Sequence, residues 1–240
     1  MKTTLMTLLG ALTMATTTAC AHQAQSENQT ASYIEMNAAE GQTDAFAQFL
    51  TGAAPMVKET EPGTKLWFAL QGPNNKLAIF DIFADEAARG AHFSGVVAGA
   101  LNENADTLVD GGWDAGVVAN INNSTVLSEK APVDIYTATT ATYIKLKAAS
   151  GKGDKLAELL TAAGSIVTET EPKTLYWAAL RIDQDNFAIY DIFADDSGRA
   201  DHFAGKVAGM LKEASPVLVE GGWNDGVVAN VNNFDILAIK

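Results

Sequence analysis

The chain has 240 residues, 48% apolar and 19% charged, enough for one large domain or two of ordinary size around a substantial core. Its formal net charge is −13, with 16 Lys and Arg against 29 Asp and Glu. An acidic surface without a basic cluster repels phosphates, which excludes a nucleic-acid partner.

Lys2 opens the chain, the apolar stretch LMTLLGALTMA follows, and the small residues TTTACA close it. This is the layout of a secretory signal, too short for a mature membrane span. Two processing routes compete. Ala19-Cys20-Ala21 fits a small-x-small cleavage site, which would release a soluble protein. Thr17-Thr18-Ala19-Cys20 resembles a bacterial lipobox, although Thr17 departs from the usual Leu. Cys20 is the only cysteine, so an internal disulfide is closed to it. The favoured expectation is a lipid on Cys20 of an exported, periplasmic protein anchored to the outer membrane. Residues 21–31, AHQAQSENQTA, read as a polar tether.

Shifting the chain by 110 residues aligns 32–130 with 142–240 without a gap, and roughly half the positions are identical. VKETEPGTKLWFAL meets VTETEPKTLYWAAL, and GGWDAGVVANINN meets GGWNDGVVANVNN. A unit of this length is a duplicated domain rather than a solenoid repeat. The joint is residues 131–141, APVDIYTATTA, where Pro132 and a Thr/Ala run break any helix.

Each copy reads alike. Strands are expected at Tyr33–Asn37 and Tyr143–Lys147. Helices are expected over Asp44–Val57 and Asp154–Val167, where Phe46, Phe49, Leu50 and Ala53, or Leu156, Leu159, Leu160 and Ala163, form one stripe. The ETEP tetrads, Glu59–Pro62 and Glu169–Pro172, stop these helices, because the residue before Pro avoids helical angles. Two strands follow in each copy, Lys65–Gln71 and Leu77–Phe83, then Leu175–Arg181 and Phe187–Phe193. Asp85 and Asp195 are candidate N-caps of a second helix ending near Leu101 and Leu211. Last strands lie around Thr125–Ser128 and Asp235–Ala238. The order β-α-β-β-α-β is the ferredoxin-like unit, so the fold class is α+β.

ETEPGT before an aromatic strand, then FADEAARGAHFSG, resembles the antibiotic biosynthesis monooxygenase-like domains of the dimeric α+β barrel superfamily. The likeness covers both copies. It implies two ferredoxin-like units facing sheet to sheet, here on one polypeptide, as a monomer that is a pseudo-dimer. A lone sheet with helices on one face leaves the other face bare, and the second copy covers it.

The matched His92 and His202 are candidate acids or bases, or simply amphipathic helix residues. Arg89 and Arg199 lie one turn earlier. Asp81 and Asp191 interrupt apolar strands, where an unpaired carboxylate is costly. Each is either a pocket base or the partner of a backbone donor, Arg89 or Arg199. Trp67 and Trp177 are core residues or an aromatic wall for a planar ligand, and Phe68, Phe93 and Phe203 are further pocket candidates. Trp113 and Trp223, beside paired glycines, suggest a loop folded over the barrel end. Gly95 with Gly99, and Gly205 with Gly209, suggest close helix–sheet approach. Glu35/Lys145, Asn37/Lys147, Phe68/Ala178 and Gln71/Arg181 differ between copies, and would make the pockets unequal if they line them.

No metal-ligand spacing, phosphate loop or Ser-His-Asp signature is present, so neither a metal nor a cofactor is expected. The resemblance implies a cofactor-independent monooxygenase acting on a small aromatic or quinol-like molecule. A non-catalytic periplasmic binding or stress protein is the alternative. A third reading is haem binding or degradation, since related barrels do this with a His, a Trp and an Asn; Lys147 stands where copy two would match Asn37, which weighs against it.

Overall fold

The computed structural model describes residues 29–240; the candidate signal, Cys20 and nearly all of the tether lie outside them. The first half runs β1 (Thr30–Asn37), α1 (Thr43–Thr60), β2 (Thr64–Gln71), β3 (Lys76–Phe83), α2 (Glu86–Phe93), α3 (Val96–Leu108) and β4 (Ile121–Lys130). The second runs β5 (Thr140–Lys147), α4 (Gly153–Thr170), β6 (Thr174–Arg181), β7 (Asn186–Phe193), α5 (Asp196–Phe203), α6 (Lys206–Leu218), a short α7 (Gly222–Gly226) and β8 (Val231–Ile239).

Eight strands close a barrel in the order β1-β3-β2-β8-β5-β7-β6-β4. All its pairings are antiparallel, and two four-stranded ferredoxin-like sheets are joined along their edges. The joining strands are β4 and β8. Residues Ile121–Thr125 of β4 pair with β1 of their own half, and Thr125–Lys130 pair with β6 of the other. Strand β8 repeats this, pairing first with β5 and then with β2. Each therefore runs longer than the stretch expected from the sequence, and closure removes exposed sheet edges.

Strand alternation divides the apolar residues into three cores. Tyr33, Phe68, Phe80, Tyr143, Tyr176 and Tyr190 point into the barrel. Ile34, Trp67, Ile79 and the buried stripe of α1 (Phe46, Leu50, Ala53, Val57) form a core between the first sheet and its helices. Ile144, Trp177, Ile189 and α4 form its counterpart. Each fully buried Phe or Leu contributes about 1.5–3 kcal/mol.

Local expectations mostly match, with three corrections. The helix expected after Asp85 is two helices, because Gly95 takes an extended conformation and starts α3 anew. Asp85 and Asp195 do cap the first of each pair, accepting from Ala88 N and Gly198 N at 2.8 and 3.0 Å. The GGW segments do turn at positive φ, Gly111 at 80° and Gly112 at 62°. They do not cap the barrel, however: Trp113 packs into the core between sheet and helices. Of the joint, Thr140 and Ala141 belong to β5, while Ile135 and Ala138 are buried against the barrel core.

Candidate functional site between sheet and helices

The barrel interior is filled. Tyr33 and Tyr143 stack with centroids 3.7 Å apart, as do Phe80 and Tyr190. Phe68 lies among them, 5.4 Å from Tyr190, and is not a pocket residue. The Phe68/Ala178 difference is therefore a packing adjustment inside the barrel.

The cavity lies on the other side of the sheet. About 160 Å³ is enclosed by residues including Trp67 and Ile79 of the sheet, His92 and Phe93 of α2, Leu101 of α3, and Trp113. Its walls are mostly apolar. An engineered cavity of about 150 Å³ holds benzene, so this one suits a single six-membered ring. The sequence candidates Trp67, His92, Phe93 and Trp113 thus meet at one site. Glu35, Asn37, Phe68 and Gln71 do not line it. Their differences from copy two leave the cavity walls alone. The residues matching the lining in copy two are identical, apart from Val231 for Ile121. Among them, Trp177 is buried and Trp223 half-buried against the second helix–sheet core, while Phe203 is exposed beside His202.

His92 is buried, and its two ring nitrogens face two carboxyls. Nδ1 lies 2.5 Å from Glu61 Oε2, and Nε2 lies 3.8 Å from Asp81 Oδ2. The second half repeats this, with His202 2.5 Å from Glu171 and 3.4 Å from Asp191. A carboxylate only accepts, so Glu61 fixes the proton on Nδ1 and leaves Nε2 to exchange one. Asp81 does not border the cavity, contrary to expectation; His92 stands between. Nor is Arg89 the partner of Asp81, since it pairs with Glu86, as Arg199 does with Asp196.

Asp81 is fully buried, opposite Trp67 on the neighbouring strand. Burial pushes its carboxyl up to about 7, with His92 restraining the rise and Glu61 adding to it. Asp191 rises to about 6 by burial, held back by His202 and Arg199. For His92, burial alone would lower the pKa. The charge of Asp81 and the hydrogen bond and charge of Glu61 outweigh it, so the imidazole is raised above its ordinary value. His202 is raised in the same way by Asp191 and Glu171. Both Asp81 oxygens and Trp67 Nε1 are buried without hydrogen-bond partners among the described residues. Unpaired buried polar atoms are rare and call for a reason.

Glu61 and Glu171 were visible in the sequence only as part of the repeated ETEP. Placed at the C-terminal end of α1, Glu61 projects towards the start of α3. A Cβ on Gly95 would stand 3.1 Å from Glu61 Oε1. Gly95 thus lets the carboxylate approach a helix N-terminus, whose dipole favours negative charge. A second cleft of about 220 Å³ lies outside His92, bordered by Thr60–Thr64, Ala88, Ala91, Gly95 and Val96. His92 therefore separates an inner cavity from an outer cleft.

Among the described residues, no group of three His, Cys, Asp or Glu side chains could hold a metal ion. The imidazole itself lies between the two carboxyls. Asn37 is exposed at the end of β1 and is not among the residues lining the cavity that Trp67 and His92 border.

No family model matches the chain, and no curated protein matches it. Solved structures do. A protein from Fusobacterium nucleatum provisionally named a monooxygenase aligns over 89% of this chain and 94% of its own, with a TM-score of 0.72 and 13% identity. A similarly named protein from Lactobacillus acidophilus aligns over 89% and 96%, with a TM-score of 0.71 and 11% identity. This chain shares the fold of these two structures, a closed eight-stranded antiparallel α+β barrel made of two ferredoxin-like halves. A Nitrosomonas europaea protein of unknown function is 36% identical over 45% of this chain and 98% of its own, with a TM-score of 0.40. Within the barrel fold, the Glu–His–Asp arrangement is read from this chain's own residues, because such distant likeness speaks to fold and not to chemistry.

Proposed function

We propose that this dimeric α+β barrel is a cofactor-independent monooxygenase for a single-ring, electron-rich phenol or quinol. The observation that carries the reading is the His92 imidazole. It borders an apolar, ring-sized cavity while held between Glu61 and the buried, proton-poised Asp81. The monooxygenase names of the two barrels of like fold agree with it.

In this reading the ring lies against Trp67 and Phe93, and Nε2 of His92 takes the phenolic proton. The phenolate passes one electron to O₂. The resulting aryloxyl radical and superoxide join at a ring carbon bearing hydrogen. Loss of that hydrogen as a proton breaks the O–O bond, leaving a quinone and water. One phenol and one O₂ are consumed, and the substrate supplies all four electrons. A dry pocket protects the phenolate from premature reprotonation.

Oxygen uptake with a panel of single-ring phenols and quinols tests this. With an active substrate, His92→Ala together with His202→Ala should lower turnover by about 10²–10⁴-fold in protein that circular dichroism shows to be folded. Absence of oxygen uptake across the panel would overturn the reading in favour of a small-molecule binding module. We also propose that Cys20 carries a lipid that anchors the exported protein. Mass spectrometry finding an unmodified mature start after Cys20 would contradict it.

A further inference from the structure

The joining strands bring a lysine from each half to the other half's site. Lys130 ends β4, and its Nζ donates to Glu171 O at 2.7 Å. Lys240, 110 residues later, follows β8. Its Nζ donates to Glu61 O at 2.7 Å and also to Thr64 O. Its backbone N donates to Trp67 O at 2.9 Å. Lys130 is buried, and desolvation lowers its pKa. Burying an ammonium is costly, so a buried lysine calls for a reason.

The reason lies at the end of the first helix of each half. Glu61 closes α1 and Glu171 closes α4. The last carbonyls of a helix carry partial negative charge and lack helical partners. An ammonium there satisfies a carbonyl and pins the residue that bears it. That residue is the glutamate whose carboxylate holds the histidine. The lysine also offsets the negative charge that the two carboxyls bring to the imidazole.

We propose that Lys240 and Lys130 are positioning residues for Glu61–His92 and Glu171–His202, so that each site is completed by a lysine from the opposite half. These are the groups given the proton-transfer role above, so the catalytic relevance of the lysines rests on that reading. The contact itself does not. The same crossed contact occurs twice, on the two strands that close the barrel. In both sites the lysine comes from the other half, so each site draws on both copies.

The test is an NMR titration of the histidine rings in the intact, ligand-free protein, comparing wild type with Lys130→Met and Lys240→Met. Charged groups around His92 are Glu61, Asp81 and Lys240; around His202 they are Glu171, Asp191 and Lys130. Losing the position of Glu171 removes a hydrogen bond that favours the imidazolium. Lys130→Met should therefore lower the pKa of His202 by roughly one unit and leave His92 unchanged. Lys240→Met should do the reverse. A rise would mean that the lysine acts by charge alone and would overturn the positioning role. So would a fall in melting temperature without a histidine shift, or a shift in the lysine's own half. No substrate enters the measurement, so a protein that oxidises no phenol can still pass or fail it.

Discussion

Tyr33 and Tyr143, the same position in the two copies, stack on each other at 3.7 Å with their planes 12° apart. Contact between equivalent residues places them at the pseudo-twofold axis relating the halves. Around this axis the repeats have diverged in size: Phe68 is matched by Ala178, and Ser124 by the buried Phe234. The interior is thus packed by complementary, unequal halves.

Phe68→Ala should accordingly cost about 3–5 kcal/mol, the usual loss for a buried aromatic. Ala178→Phe should cost about 1–3 kcal/mol by overpacking. Urea unfolding of each variant checks both. Equal, small effects would mean that the interior tolerates either size and is not specifically packed.

The site makes the protein less stable as pH rises. Asp81 titrates at about 7 in the folded chain against an ordinary 3.8. The native state therefore holds more protons than the unfolded one between those values, and stability falls across that window. The raised pKa of His92 acts in the same direction from its ordinary 6.5 upward: its contribution is complete below that value and is lost as pH rises through the folded one. Melting temperature should fall as pH rises from 3.8 towards about 7 and go on falling above 6.5 as the histidines lose their protons. Asp81→Asn with Asp191→Asn should flatten that fall, as calorimetry across the range would show.

The glycines of the second helix pair should divide into two kinds. A Cβ at Gly205 would stand 2.7 Å from Glu171 Oε1 and 2.8 Å from His202 O. Gly205→Ala should therefore destabilise the protein and disturb the histidine. Gly99 and Gly209 have nothing within 4 Å of such an atom, and both are exposed in helices. Gly99→Ala and Gly209→Ala should stabilise by up to about 1 kcal/mol. This replaces the sequence expectation that all four permit close helix–sheet approach. Thermal melts of the three single variants separate the classes.

The fold was legible because its signals are local and occur twice. The ungapped repeat, the helical stripe at Phe46 and Leu50, and the alternation of Ile79, Asp81 and Phe83 each depend on neighbours a few residues apart. His92 and Asp81 could be singled out as titratable residues at matched, costly positions. What the sequence could not supply was which side of the sheet holds the cavity. Trp67 and Phe68 are adjacent aromatics, and alternation sends them to opposite faces without saying which face is filled. Only the packing of Tyr33 on Tyr143 decided that, by filling the barrel and leaving space beneath the helices. Glu61 and Lys240 were hidden for a related reason. One reads as the end of a helix and the other as the end of a strand, 179 residues apart. Their meeting depends on where β8 crosses from its own half to the other, and no local pattern encodes that long-range pairing.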